Sequence, residues 1–273
     1  MKKGNREMLK IGWIDFLNTL PFNFEIAGIK PEFEYKLYKG VPVKLNKLLR
    51  NKEIDIAIAS SAEYIENFQD YLILPNLSIS ATNKVHSVAI FSNKQLSDIK
   101  EVYLSKASKT SRYLTKIIFD IFLKKEISYK ELENYQDIEK KSVLLIGDNA
   151  IFFSDRFKYV YDLSEIWYKN TGLPFVFALW ILNKEIFYKK ERQLRQFYNI
   201  LMESKEKILK NLPNFVKNFV KTEKFSREFA TEYIKNLDYN LTEKHIQSLK
   251  LFSKYLQDVK IIKKEPKFNL LNF

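Results

Sequence analysis

Between residues 10 and 60 the chain alternates extended and helical patterns, and this alternation restricts the fold more than any other feature. Lys10–Trp13 is a short, mostly apolar run. A turn and a helix start follow, with Pro21 near the first helical turn, where a missing N–H costs little. Phe33–Tyr38 alternates apolar and polar side chains, the period of a half-buried strand. Gly40 breaks it. From Pro42 to Asn51, residues Val43, Leu45, Leu48 and Leu49 share one helical face. Ile54–Ala59 is dominated by apolar and small residues, as expected of a strand covered on both faces. Strand, helix, strand, helix, strand predicts a parallel sheet with crossover helices.

The rest of the chain continues the theme. A helix is expected from Ser61, then a short apolar run Tyr71–Leu74. Ser78–Phe91 reads either as strand–turn–strand or as one bent strand around Thr82-Asn83-Lys84. Val102–Leu104, Ser142–Ile146 and Phe175–Leu182 are further strands. Tyr113–Phe122 and Asp162–Lys169 carry helical spacing, the second ended by Thr171-Gly172. From Lys184 onward the pattern is helical. Asn211-Leu212-Pro213 punctuates it, and Ser226 and Thr242 are predicted N-caps. The 273 residues suit about two domains. No Gly- or Pro-rich linker separates them, so strands that cross between the two are expected.

Ligands of open α/β sheets bind outside the carboxyl ends of the strands. Asn18 stands in the loop after the first strand, where it either caps the next helix or faces such a cleft. Ser60 and Ser61, between a strand end and a helix start, suit a cap or an anion contact. Ser105, Ser108, Thr110 and Ser111 precede or open a helix, with Lys106 and Lys109 among them. That segment is either a carboxylate or phosphate seat or a capped helix with a solvated lead-in. Asp148 follows Gly147 at a strand end and can contact substrate, act as a base or cap the next segment.

Composition removes several function classes. The net charge is +13, but the lysines are dispersed rather than clustered on one arm or face, so no nucleic-acid partner is expected. The charge instead suits a solvated surface and a field that draws small anions. With no Cys, disulfides, thiolate metal sites and Cys nucleophiles are excluded. His86 and His245 are far apart in sequence, so no metal site is expected. There are 6 Gly and no P-loop, dinucleotide fingerprint or nucleophile elbow, and no cofactor is called for. No run approaches the ~20 apolar residues of a membrane span. Lys2, Lys3, Arg6 and Lys10 surround too short an apolar patch for a secretory signal, so the cytoplasm is the expected location. What remains is a cleft of amides, hydroxyls and helix N-termini, suited to a carboxylated small molecule. The pattern specifies no oligomeric state.

Several motifs then fall in order: F-L-N-x-L-P-F at Phe16–Phe22, D-I-A-x-x-S-S-x-E-Y at Asp55–Tyr64 and L-P-x-L-S-I-S at Leu74–Ser80. V-x-S-V at Val85–Val88, S-x-T-S at Ser108–Ser111, L-L-I-G-D at Leu144–Asp148 and T-G-L-P-F-V-F-A-x-W at Thr171–Trp180 follow. Over the first two thirds of the chain this set resembles the chorismate dehydratase family of the futalosine route to menaquinone. The chain departs from the family pattern at Ala81, Asn83 and Asn149. The resemblance implies an α/β, two-lobed fold like type II periplasmic binding proteins, with a central cleft and extra C-terminal helices. Residues 1–87 plus 183–273 would form one lobe and 88–182 the other, with Val88–Phe91 and Phe175–Leu182 as crossings.

The implied reaction is loss of water from chorismate, a dicarboxylate, to give 3-[(1-carboxyvinyl)oxy]benzoate, with no metal. Asn18 would hydrogen-bond the reacting region, Ser108, Thr110 and Ser111 would seat one carboxylate, and Ser61 and Ser87 would line the opposite wall. The proton acceptor is either Asp148 or the substrate's own side-chain carboxylate. The rivals are the sister enzyme forming 1,4-dihydroxy-6-naphthoate from a cyclic futalosine derivative and a small-anion solute-binding protein. The motif L-N-x-L-P-F favours the dehydratase.

Overall fold

A computed structural model describes residues 8–219 and 226–272. The N-terminal cluster Lys2, Lys3 and Arg6 lies outside them. In chain order, β1 (Leu9–Trp13) leads through a 3-10 turn to β2 (Tyr35–Lys39), α1 (Pro42–Arg50), β3 (Ile56–Ser60), α2 (Ser61–Glu66) and β4 (Tyr71–Ala81). Then follow β5 (Val88–Ser92), β6 (Glu101–Leu104), α3 (Lys109–Ile117), β7 (Ser128–Glu131), β8 (Val143–Ile146), α4 (Asp148–Phe152), β9 (Tyr159–Asp162) and α5 (Leu163–Thr171). The last strand is β10 (Phe175–Asn183), and α6 (Lys184–Lys210), α7 (Leu212–Phe219), α8 (Arg227–Lys235) and α9 (Glu243–Asp258) end the chain.

The strands form two five-stranded sheets of one design, β2-β1-β3-β10-β4 and β7-β6-β8-β5-β9. In each, the first three strands are parallel and the fourth runs antiparallel to both neighbours. The alternation of the first sixty residues thus produces the parallel edge of the first sheet, as expected. The two-lobed α/β expectation holds. The crossings differ from expectation. Phe175–Asn183 pairs with β3 and β4 along its length, and Val88–Ser92 pairs with β8 and β9, so each strand lies in one sheet. The chain passes between sheets in the loop 82–87 and again through 163–174. The reason is local: Thr82-Asn83-Lys84 breaks the extended pattern, and Asp162 caps α5 before the chain turns back.

Asp162 joins the two passages. Its Oδ2 accepts the N–H groups of Val85 and His86 at 2.9 and 2.7 Å, and its Oδ1 those of Ser164 and Glu165 at 3.0 and 3.2 Å. Burial pushes its carboxyl above the ordinary value, while backbone N–H groups, among them those of His86 and Glu165, pull against the rise.

The first sheet has an aromatic centre. Trp180 of β10 packs against Trp13, Phe22 and Phe197, with ring centroids 5.9, 5.8 and 5.6 Å away. Such pairs are each worth ~0.5–1.5 kcal/mol beyond burial. The C-terminal segment closes the free edge of β4. Asp238 and Ser80 exchange two backbone hydrogen bonds, and the Ser78 N–H donates to the Tyr239 carbonyl. Ser78 and Ser80 add hydroxyl bonds to the carbonyls of Asn240 and Asp238. This edge pairing anchors the segment between α8 and α9 to the first sheet.

Candidate active site

Residues following the carboxyl ends of β1, β3, β6 and β8 converge on a cleft between the two sheets. It encloses about 650 Å³ of free space, its open mouth included. Its polar lining is Asn18, Thr19, Ser60, Ser87, Ser108 and Ser111, and none of the lining side chains carries a charge. A β-bulge in β10 skips Phe177 in the pairing with β4, and Phe177 lines the cleft instead.

Asn18 owes its position to a locked turn. The Thr19 hydroxyl donates to the carbonyls of Ile14 and Phe16 at 2.6 and 2.8 Å. The 3-10 turn Leu17–Phe22 begins after Phe16, which makes no side-chain cap. Asn18 lies inside the turn, so of its two sequence readings the cap is set aside. Its Oδ1 is buried and accepts no hydrogen bond. Leaving an acceptor so costs ~1–3 kcal/mol, which a donor brought by a ligand would relieve.

Ser87 is buried at the cleft wall and accepts a 2.8 Å hydrogen bond from the Tyr233 hydroxyl. Tyr233 comes from α8. Burial pushes its phenol well above the ordinary value; the nearby Asp148 charge adds to this, and the hydrogen bond with Ser87 opposes it. The phenol therefore keeps its proton. The Ser87 carbonyl also accepts the Gly147 N–H at 2.7 Å. Gly147 has φ 59° and ψ −142°, a backbone region essentially restricted to glycine. This turn brings the end of β8 against the wall.

The predicted hydroxyl segment divides. Ser108 caps α3, accepting the Ser111 N–H at 3.2 Å, and the two hydroxyls lie 3.0 Å apart in the cleft. Thr110 points elsewhere. It accepts the Ala62 N–H at 3.0 Å and lies 3.4 Å from the Ser61 hydroxyl, all of it buried. Ser61 and Thr110 thus join α2 to α3 rather than line the cleft; Ser60 lines it instead. Asp148 opens α4 beside the cleft, is half-buried and is not among the lining residues. Sequence reading missed Tyr233 and Phe177. An aromatic in an amphipathic helix or apolar strand reads as core, and neither carries a local signal.

Among the described residues no group of three or more His, Asp or Glu side chains could hold a metal, and no helix is long and apolar enough to cross a membrane. Two matched α/β sheets around an uncharged cleft define a protein of the periplasmic-binding-protein fold. Solved structures share it. A protein from Archaeoglobus fulgidus matches with TM-score 0.76 at 16% identity, over 93% of this chain and 98% of its own. The periplasmic aliphatic sulphonate binding protein of Escherichia coli matches with TM-score 0.68 at 10% identity, over 95% of each chain. Within that class, residues 9–258 match the menaquinone biosynthesis family, and the chain belongs to it. A chorismate dehydratase of Campylobacter jejuni is 31% identical over 254 residues, 89% of this chain and 95% of that relative. One from Thermus thermophilus is 30% identical over 174 residues, 55% of this chain and 62% of its own.

Proposed function

We propose that this protein is a chorismate dehydratase acting in menaquinone formation, converting chorismate to 3-[(1-carboxyvinyl)oxy]benzoate and water. The relatives named as chorismate dehydratases support this, as does the expected motif order. The observation that carries it in the structure is the unpaired, buried Oδ1 of Asn18 in a cleft without charged lining. That acceptor suits a hydroxyl-bearing substrate.

Chorismate carries two carboxylates, a leaving hydroxyl and a ring C–H acidified by conjugation. Removing that proton and the hydroxyl aromatises the ring, so the protein must mainly orient and polarise. Asn18 Oδ1 holds the leaving hydroxyl. Ser108 and Ser111, at the N-terminus of α3, seat one carboxylate. Ser87 lines the facing wall. Thr110 and Ser61 support these contacts from behind by joining α2 to α3. Because no lining side chain is an acid or imidazole, the substrate's own side-chain carboxylate takes the ring proton and passes it to the departing hydroxyl, which leaves as water. Asp148 acts at most through the local field. The reaction is placed in the cytoplasm, where a biosynthetic substrate of this kind is met.

The test is incubation with chorismate, following a new aromatic product lighter by one water. Asn18→Ala is expected to lose at least about 100-fold in kcat with the fold retained. Asp148→Asn is expected to stay within about 5-fold, since it removes a charge and no reacting group. A larger loss in that variant restores Asp148 as the base.

A further inference from the structure

We infer that Tyr233 is a positioning residue that fixes the Ser87 hydroxyl as a hydrogen-bond donor to the cleft. This deepens the dehydratase reading and takes its substrate from it. Tyr233 lies behind the wall, is 4% exposed and is not itself a lining residue. Its hydroxyl donates to Ser87 Oγ at 2.8 Å. The direction is the one chemistry favours, because a phenol is the better donor and an aliphatic hydroxyl the better acceptor. Ser87 has one hydroxyl proton and, among the described residues, no acceptor for it. With its rear lone pair occupied, Ser87 presents that proton to the cleft.

Asn18 lines the same cleft, and its Oδ1 is buried without a partner. Tyr233 to Ser87 is a directed path, phenol to hydroxyl. The cleft thus offers a ligand one acceptor, Asn18 Oδ1, and one donor, the Ser87 hydroxyl. A ligand that meets both carries a hydroxyl to donate and an anionic oxygen to accept, spaced as the two side chains are. Chorismate has both groups, and its dehydrated product keeps only the anionic oxygens. The path thus favours the hydroxyl-bearing reactant over the product.

The experiment is Tyr233→Phe, which removes only the hydroxyl and keeps the ring that stacks on Phe229. With chorismate, kcat is expected to fall roughly 10–100-fold, with KM and Tm little changed. In a Ser87→Ala background, Tyr233→Phe is expected to have no further effect on kcat. Unchanged kcat, or an effect that multiplies with Ser87→Ala, overturns the inference and leaves the dehydratase reading standing. If the unmodified protein does not consume chorismate, the dehydratase reading falls. Calorimetric binding of 3-[(1-carboxyvinyl)oxy]benzoate then decides: weaker binding by Tyr233→Phe supports the path, while equal binding, or none by the unmodified protein, overturns it. If Tyr233→Phe does not fold, a trifluorotyrosine at 233 replaces it. An alkaline loss of kcat absent from the unmodified protein is expected, and a superimposable pH profile overturns the inference.

Discussion

At the scale of single residues, position on a turn decides which side chain reaches the cleft more than residue type does. Ser60 and Ser61 are adjacent, and so are Thr110 and Ser111, yet in each pair only one faces the cleft. A one-residue step on a helix turns a side chain through about 100°, and the sequence does not reveal the starting angle. Asn18 and Ser87 were legible because they stand in ordered motifs at strand ends. Tyr233 was not, because a buried aromatic on a helix carries the same pattern whether or not its hydroxyl works. Asp238 offers a pH test at this scale. The His245 ring accepts the Thr242 N–H through Nδ1, which leaves Nε2 facing Asp238 at 3.3 Å. Burial acts to raise the Asp238 carboxyl, but the adjacent His245 ring and hydrogen bonds from Asn240 outweigh it and hold the group below its ordinary value of 3.8. A carboxyl lowered by folding contributes stability above the unfolded value, and that contribution is lost as pH falls through the folded one. Asp238→Asn is expected to be less stable at pH 7 by about 1 kcal/mol. Its urea midpoint should converge with that of the unmodified protein as pH falls through the folded carboxyl's titration.

At the scale of elements, the long apolar and amphipathic runs were readable, and the short edge strands were not. Ser128–Glu131 and Tyr159–Asp162 are four residues each, lie at sheet edges and are largely exposed or half-buried, so neither shows a buried period. β4 hid its continuity in a bulge: Ile73 and Ser78 pair near consecutive sites on β10, and Asn76 between them has φ 57°. α6 carries an unforeseen kink. Lys190 has φ −128° and ψ 28° within it, and its buried side chain, 7% exposed, brings the ammonium to the Asp55 carboxylate at 2.7 Å. Lys190 also donates to the Met8 carbonyl, and Asp55 accepts the Lys10 N–H, so the pair ties α6 to the start of β1. Lys190→Met should cost about 3–5 kcal/mol by leaving a buried carboxylate without its cation. Adding Asp55→Asn should recover much of that loss, as read from denaturant midpoints. Equal instability of the single and double variants would show that packing at the kink, not charge, is the source.

At the scale of the whole molecule, the two sheets meet through α2 and α3 on one side of the cleft. Glu66 accepts from Lys109 at 2.6 Å and from the Tyr113 hydroxyl at 2.5 Å, next to the buried Ser61–Thr110 contact. Lys109 is partly exposed, so this clasp is worth at most about 1 kcal/mol. Glu66→Gln should therefore raise KM by roughly 3–5-fold with little change in Tm. Solution scattering of the ligand-free variant should show a larger radius of gyration. A clasp with no bearing on opening would leave both KM and scattering unchanged. Elsewhere, the carboxylate of Asp162 grips the outgoing and the returning connection at once. Two connections pinned at one point cannot flex independently. Whatever movement one half makes against the other, the outgoing and returning connections must make it together.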